Sequence, residues 1–328
     1  MLSRTADHLY WMARYTERAE NTARMLDVAL QTSMLPQSKT EAEQAWRAML
    51  GISELQDAFD ARHGRETGFD AAKVLDFMMR DPSNPSSIVA CLTAARENAR
   101  AVRGVLTTEV WETQNATWIE MPERVQASTD ANVDPSAFFE WVKHRCHLAR
   151  GVTLGTMLND AALYFIQLGT FLERADSTAR LLDVKYHRTR ASFSSSAPSS
   201  SDHEVLTQRE FYYWAALLRS VAGFEIYRKV YRDSITPARV AELLMLRADM
   251  PRSLLACMEQ VVANLKAVRN DVSFETERLA GKMHAELQFT RIEDVLEAGL
   301  DATLDRFMKN VYALGNGISR DFLVPLGA

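Results

Sequence analysis

The feature that most constrains the fold is a twelve-residue segment that occurs twice in the chain. Residues 17–28 read ERAENTARMLDV and residues 173–184 read ERADSTARLLDV, with nine identical positions. A tryptophan (Trp46 and Trp214) and a proline (Pro85 and Pro251) recur at similar spacing. Because chance does not produce a repeat of this kind, the sequence predicts a tandem duplication of one structural unit.

Apolar and small residues recur at alternating steps of three and four along the segments that contain the repeat. In the first copy they are Leu9, Met12, Thr16, Ala19, Ala23, Leu26 and Leu30, and in the second Phe165, Leu168, Leu172, Ala175, Ala179 and Leu182. This spacing predicts long helices packed in a bundle. No segment alternates with the period of a strand, so we expect an all-α fold of roughly ten helices. We place them near residues 4–31, 41–60, 70–80, 85–113, 135–158, 161–189, 203–232, 237–248, 251–270 and 291–314.

The duplication divides the chain into a first helical repeat over residues 1–158 and a second over residues 159–328. The offset between corresponding residues grows from 156 at the repeated segment to 168 at the tryptophans, which requires an insertion in the second copy. A serine-rich segment at 192–201 supplies it, and its composition is typical of a flexible loop.

Composition excludes several classes of protein. The net charge of −5, from 38 basic and 43 acidic residues, argues against general nucleic-acid binding. No apolar run approaches the roughly 18–20 residues of a membrane span, and the first residues predict an amphipathic helix rather than a secretory signal. The sequence lacks glycine-rich nucleotide loops and nucleophile elbows, so no cofactor is predicted. A cytoplasmic protein is expected.

Each repeated segment begins with a Glu-Arg pair, Glu17–Arg18 and Glu173–Arg174. Adjacent helical residues point about 100° apart, so the two members of a pair cannot bind each other. The helices are apolar around much of their circumference and should be buried, and a buried arginine requires an acidic or anionic partner. In a structural interpretation, Arg18 and Arg174 pin neighbouring helices through buried ion pairs.

Arg24 and Arg180 suit a similar structural role, because each lies four residues after an acidic residue of its own helix. In the alternative interpretation, guanidinium groups converge on a cleft and bind a carboxylate or a phosphate. Arg14 and Arg18 are one turn apart and would repel each other without an anion between them.

A second basic element, Arg96, Arg100 and Arg103, shares one helical stripe, which is either a solvated face or part of an anion site. The first copy is richer in arginine than the second at both elements, so it is the better candidate if only one copy has a working site.

Two further chemistries were considered. Glu140, His144 and His147 lie one turn apart and have side chains that can bind a divalent metal. Residues with this spacing more often lie on a polar, solvated helix surface than bind a metal, so no metal site is predicted. Glu17 and Glu173 are the candidate catalytic residues, as general acid or base groups whose pKa burial would raise. Whether the protein is an enzyme is left open.

Several segments resemble the bacterial alpha-E family, an all-helical domain with a Glu-Arg motif. They are LSR at 2–4, LYWMARYTERAEN at 9–21, AREN at 95–98 and FLERAD at 171–176. Members are typically encoded beside a permuted ATP-grasp-like ligase and a transglutaminase-like protein, and some are fused to one. Carried over by position, the resemblance implies that the motif residues are Arg14, Glu17, Arg18, Asn21, Arg96, Asn98, Arg100, Glu173 and Arg174.

The resemblance implies an accessory or catalytic component of an ATP-grasp-like peptide or amide ligase system, with that ligase and the transglutaminase-like protein as partners. An Arg/Glu cluster would bind an anionic peptide, a carboxylate or a phosphate. The candidate anion-binding residues are Arg14, Arg18, Asn21, Arg24, Arg96, Asn98, Arg100, Arg103, Arg174 and Arg180. The alternative is a helical scaffold whose Glu-Arg pairs only lock helices together.

Overall fold

A computed structural model describes residues 1–34, 38–64, 70–128, 134–193 and 211–324. All regular secondary structure in these ranges is helical, which confirms the predicted all-α class. The described residues form 15 helices rather than roughly ten. Most of the predicted serine-rich loop at 192–201 lies outside the described residues, and its first two positions are helical.

The first eight helices are α1 (Ser3–Ser33), α2 (Lys39–Ile52), α3 (Gln56–His63), α4 (Ala71–Met79), α5 (Ile88–Ala101), α6 (Thr108–Ala127), α7 (Ser136–Thr156) and α8 (Ala161–Phe193). The described part of α9 covers residues 211–220. The remaining helices are α10 (Phe224–Tyr231), α11 (Pro237–Leu246), α12 (Leu254–Ala267), α13 (Phe274–Phe289), α14 (Ile292–Ala298) and α15 (Leu300–Phe322).

The additional helices come from breaks that the apolar periodicity does not reveal. The helix predicted over 85–113 divides at Thr107, whose side chain accepts the backbone N–H of Val110 and so caps α6. The helix predicted over 203–232 divides at Ala222, which has a positive φ of 53°. The prediction missed α13 entirely. A local side-chain cap or a single left-handed residue ends a helix without changing the apolar pattern around it.

At the centre of the fold, α1 and α8 pack directly on each other. Tyr10 contacts Gly169 and Arg18 contacts Glu173, so the difference in residue number stays nearly constant and the two helices run parallel. The small residues at their seam are fully buried, as the spacing predicts: Ala19, Ala23, Ala175 and Ala179. A Cβ atom at Gly169 would lie 2.3 Å from the backbone oxygen of Tyr10, so the helices approach too closely there for any side chain.

Corresponding helices flank this central pair. α5 packs on α1 and α12 packs on α8. Each begins after a serine whose side chain accepts a backbone N–H, Ser87 for α5 and Ser253 for α12. Cys91 and Cys257, one on each helix, are buried free thiols. Among the described residues, buried apolar side chains from Ala6 to Leu323 form one continuous core. None of the described helices combines the length and apolarity needed to cross a membrane.

Candidate functional site

The two Glu-Arg motifs bind each other across the contact between α1 and α8. Arg18 Nε and Nη2 donate to the Oε1 and Oε2 atoms of Glu173 at 2.6 and 3.1 Å. Reciprocally, Arg174 Nε and Nη2 donate to the Oε1 and Oε2 atoms of Glu17 at 2.9 and 3.0 Å. Two-pronged contacts of this kind fix the orientation of both groups, so the pairs set the register of the two helices. We name these four residues the Glu-Arg layer, together with the charged residues that bind them or extend their network: Arg14, Glu20, Arg24, Arg150 and Arg252.

Glu173 has a second cationic partner. Arg14 Nε donates to Glu173 Oε2 at 2.7 Å, so the carboxylate lies between Arg14 and Arg18. The anion expected between these two arginines is therefore a side chain of the protein itself. Burial alone would raise the pKa of Glu173, but the charges of Arg14 and Arg18 outweigh it and lower the pKa to about 2.

Glu17 and Glu20, one turn apart, are bound by arginines from three other positions in the chain. Arg150 Nη2 donates to Glu17 Oε2 at 2.9 Å and also contacts Glu20. Arg252 donates to Glu17 Oε1 at 2.9 Å and to Glu20 Oε1 at 2.6 Å. Arg24 Nε donates to Glu20 within α1 at 2.9 Å. These contacts join α7 and α12 to the central helix pair.

The two sides of the layer differ in charge balance. Two guanidinium groups face one carboxylate at Glu173. In the described contacts at Glu17 and Glu20, four guanidinium groups face two carboxylates, an excess of two positive charges; the four are Arg24, Arg150, Arg174 and Arg252. The excess of positive charge is therefore two beside Glu17 and Glu20 and one beside Glu173.

Both carboxylates on that side stay ionised at neutral pH. Burial alone would raise the pKa of Glu17, but the charges of Arg174 and Arg252 outweigh it and hold the pKa below the ordinary value. Burial lowers the pKa of Arg252, an effect opposed by its bonds to Glu17 and Glu20, and guanidinium groups remain protonated in proteins. The expectation of a net rise in the pKa of Glu17 and Glu173 is therefore wrong. Burial does act in that direction, but the neighbouring arginines, which the expectation left out, lower the pKa by more. Catalytic roles for these two residues remain a prediction.

Two cavities flank the layer. The polar cleft, of about 230 Å³, is lined by α1, α2, α8 and the segment before α5. Its charged residues already form ion pairs: Arg18 binds Glu173, and Arg180 binds Asp176 and Glu54. The cleft therefore has no excess of positive charge. Asn21, predicted to bind an anion, accepts a hydrogen bond from Arg252, and its buried Nδ2 has no partner among the described residues.

The amphipathic cavity, of about 260 Å³, lies among α1, α6, α7, α8 and α12. Arg150, Arg174 and Glu17 line it together with apolar side chains. Only the Nη2 atom of Arg150 is bound to the layer, and within the described part of the chain its Nε and Nη1 have no hydrogen-bond partner. This partly exposed guanidinium therefore has donors available to a molecule in the cavity.

The second predicted arginine stripe lies elsewhere. Arg96 stacks on the ring of Trp118, with its guanidinium carbon 4.6 Å from the ring centre, and Arg100 pairs with Glu97 on the surface. Arg103 is exposed on the same face, and the Asn98 side chain donates to a backbone oxygen of its own helix. In the described contacts, these four predicted residues do not join the Glu-Arg layer. Arg96 meets Trp118 of α6, Asn98 Oδ1 lies 2.8 Å from His8 Nδ1 of α1, and Arg100 and Arg103 are exposed.

The residues considered for a metal are also separated by their partners. Glu140 forms an ion pair with Lys143, His144 is exposed, and His147 Nε2 lies 3.3 Å from Glu20 Oε1. Within the described part of the chain, no three histidine, cysteine or acidic side chains are grouped as metal ligands would be.

Sequence reasoning missed Arg150 and Arg252 as members of the site. In the second copy, Pro251 is followed by Arg252. In the first copy, the corresponding proline, Pro85, is followed by an uncharged residue, Ser86. This difference between the copies was the available signal. For Arg150 the only signal was its position one turn after His147 on the same helix.

Comparison with known proteins supports the resemblance. The model of the Alpha-E family, described as a predicted alpha-helical domain with a conserved ER motif, matches residues 1–323. Uncharacterised proteins of Mycobacterium bovis and Mycobacterium tuberculosis are each 26% identical over 328 residues, which cover 94% of this chain and 35% of each relative. The chain thus spans about a third of the length of the curated relatives it matches. No solved structure matches it.

Proposed function

The chain belongs to the Alpha-E family, and from this premise we propose that it binds a small carboxylate or phosphate anion at the Glu-Arg layer. One observation carries the proposal: four guanidinium groups face two carboxylates beside Glu17 and Glu20. The surplus is favourable only when an anion compensates it, because uncompensated buried charge is costly.

Arg150 is the residue that meets the anion. Its Nη2 is held by Glu17 and Glu20, which orients the guanidinium, and the residue lines the amphipathic cavity with its Nε and Nη1 donors unused in the described contacts. Planar guanidinium groups bind carboxylate and phosphate oxygens in pairs. Glu17 therefore serves as a positioning residue for Arg150 and Arg174.

We propose binding rather than proton transfer as the role of the layer. A general acid or base works best with a pKa near the working pH, and the pKa values of Glu17 and Glu173 are lowered by their arginines. The wider setting is that of the family: an accessory or catalytic component of a cytoplasmic ATP-grasp-like peptide or amide ligase system. The ligase and a transglutaminase-like protein would be its partners, and the anion would be an acidic peptide, a carboxylate or a phosphorylated intermediate.

The tandem duplication also remains a proposal, with repeats at 1–158 and 159–328. It is supported by the parallel register of α1 and α8, the reciprocal ion pairs and the matched caps Ser87 and Ser253. In this view, two copies of one helix meet along an approximate two-fold axis.

A second candidate function is a helical scaffold. The observation that favours it is the reciprocal pairing, in which Arg18 and Arg174 each have a bidentate carboxylate partner. This candidate predicts that Arg174→Leu combined with Glu17→Leu gives a folded and fully functional protein.

Isothermal titration calorimetry with acetate, inorganic phosphate, ADP and a tetraglutamate peptide tests the proposal, alongside co-purification with an ATP-grasp-like ligase. We expect at least one anion to bind, and Arg150→Met to weaken that binding at least tenfold, about 1.4 kcal/mol. Arg278→Met is the matched control, because it removes the same charge from an exposed surface pair. Absence of binding to every anion and to the ligase would leave the scaffold as the better account.

A further inference from the structure

The lining of the amphipathic cavity combines charged and apolar side chains. Arg150, Arg174 and Glu17 supply the charges, Leu163, Ile166 and Phe171 supply apolar surface, and the guanidinium carbon of Arg174 lies 5.2 Å from the centre of the Phe171 ring. A simple inorganic anion gains no binding free energy from such a surface, since only apolar groups gain free energy by covering it. The cavity is therefore built for an anion attached to an apolar body.

Three glutamines from three different helices complete the wall: Gln114 of α6, Gln167 of α8 and Gln260 of α12. Gln114 is only 6% exposed as a residue, and its amide, whose polar atoms are not fully enclosed, has no hydrogen-bond partner in the described part of the chain. A side-chain amide carries both donors and an acceptor, so it can pair with a polar group in the cavity. A ligand amide, which offers one donor and one acceptor, is complementary to it.

Size limits the ligand further. The cavity volume of about 260 Å³ lies just below the range of roughly 300–1,000 Å³ for pockets that hold drug-sized molecules. A single amino-acid unit suits this space better than a nucleotide or a long peptide.

The polar cleft on the other side of the layer serves as a natural comparison. It borders the same ion pairs but offers three carboxylates, Glu54, Glu173 and Asp176, against two guanidinium groups. A carboxylate ligand would be repelled there.

Resting on the proposed anion-binding function, we propose that the anion is the terminal carboxylate of an apolar amino acid whose nitrogen is acylated. The C-terminal residue of a peptide and an N-acyl amino acid share this chemistry. The carboxylate binds the free donors of Arg150, the amide pairs with Gln114, and the side chain covers Leu163 and Ile166.

Calorimetry with four small probes tests each element of the ligand. N-acetyl-L-leucine carries the carboxylate, the amide and the apolar side chain, whereas acetate carries only the carboxylate. N-acetyl-L-leucinamide lacks the negative charge, and N-acetyl-L-glutamate has an acidic side chain in place of the apolar one. We expect N-acetyl-L-leucine to bind at least tenfold more tightly than each of the others. A peptide ending in leucine, compared with its C-terminal amide, distinguishes a chain end from a free N-acyl amino acid.

Two variants locate the site. Gln167→Trp places a bulky ring in the amphipathic cavity and should abolish binding of N-acetyl-L-leucine. Ser177→Trp, on the same helix, places such a ring in the polar cleft and should leave this binding intact. Gln114→Leu keeps the size of the side chain but removes its amide. It should weaken the binding of N-acetyl-L-leucine at least tenfold and leave the binding of acetate unchanged. Thermal melting checks that each variant is folded.

The outcomes separate this inference from the function on which it rests. Equal binding of acetate and N-acetyl-L-leucine, both lost in Arg150→Met, would keep the anion site and overturn the apolar ligand. Tighter binding of N-acetyl-L-glutamate, or equal binding of the leucinamide, would also overturn it. If none of the four probes binds, and phosphate, ADP, tetraglutamate and the ligase do not bind either, both proposals fail.

Discussion

The two sides of the Glu-Arg layer contain the same reciprocal ion pair in different surroundings. On one side, Arg18 is 28% exposed and shares Glu173 with Arg14. On the other, Arg174 is 7% exposed and shares Glu17 with Arg150 and Arg252. The motif alone locks two helices together. Residues outside the motif, present on one side only, convert that lock into a charged site.

One pair of corresponding positions accounts for much of the difference. Ser86 follows Pro85 in the first half, and its hydroxyl lies 3.4 Å from Arg18 Nη1. Arg252 follows Pro251 in the second half, where it reaches both Glu17 and Glu20. A single exchange of serine and arginine at a helix start therefore adds a positive charge to one side.

The largest expected effect comes from removing each central carboxylate in turn. Glu17→Gln leaves three guanidinium groups without their shared partner and should lower the free energy of unfolding by about 3–5 kcal/mol. Glu173→Gln should cost about 2–3 kcal/mol, since Arg14 and Arg18 are better exposed to water. Urea unfolding measures both values, and Glu109→Gln on the exposed surface should stay within about 0.5 kcal/mol. Equal losses at Glu17 and Glu173 would mean that the extra arginines do not distinguish the two sides.

Acid should weaken the Glu173 side in a defined pH range. Its pKa is lowered to about 2, so its contribution to stability is complete above the ordinary value near 4.5 and is lost as the pH falls toward 2. The shift corresponds to on the order of 3 kcal/mol. Unfolding curves of the wild type and Glu173→Gln should therefore converge between about pH 5 and pH 2, because a protonated glutamate resembles glutamine. A constant difference across that range would show that Arg14 and Arg18 do not lower this pKa.

The sequence predicted the central features of the fold and part of the site. The spacing of Ala19 and Ala175 predicted long helices packed in a bundle, but not that α1 and α8 pack on each other, and apolar surroundings implied that Arg18 and Arg174 need partners. Those partners were not predictable, since Glu173 lies 155 residues from Arg18 and Glu17 lies 157 residues from Arg174, and each pair meets only through the packing of α1 on α8.

Other features depended on local chemistry that periodicity does not encode. The Thr107 side chain caps α6, and Arg103 is exposed in the turn between α5 and α6. The sign of the pKa change at Glu17 likewise depended on how many arginines surround it rather than on burial.

Gly169→Ala should separate the two central helices slightly. The new Cβ would lie 2.3 Å from the backbone oxygen of Tyr10 and 3.2 Å from Cβ of Ala13, so the helices must shift. We expect a loss of about 1–3 kcal/mol in the free energy of unfolding. Gly151→Ala is the matched helical control, since no atom lies within 4 Å of its added Cβ. That control should stabilise by up to about 1 kcal/mol through helix propensity. A stabilising Gly169→Ala would contradict the close approach of α1 and α8.

The smallest difference in stability between the two sides is expected at the outer ion pairs. Each of these pairs joins two residues that are four positions apart in one of the central helices. Arg180 binds Asp176 with 25% of its side chain exposed, while Arg24 binds the fully buried Glu20 with 13% exposed. Arg180→Ala should cost no more than about 0.5 kcal/mol, as is usual for such helical pairs. Arg24→Ala should cost about 1 kcal/mol, because Glu20 loses a partner but keeps Arg150 and Arg252. Urea unfolding of the two variants measures this difference. A larger cost at Arg180 would place the more important contacts on the side of the polar cleft and reverse the comparison.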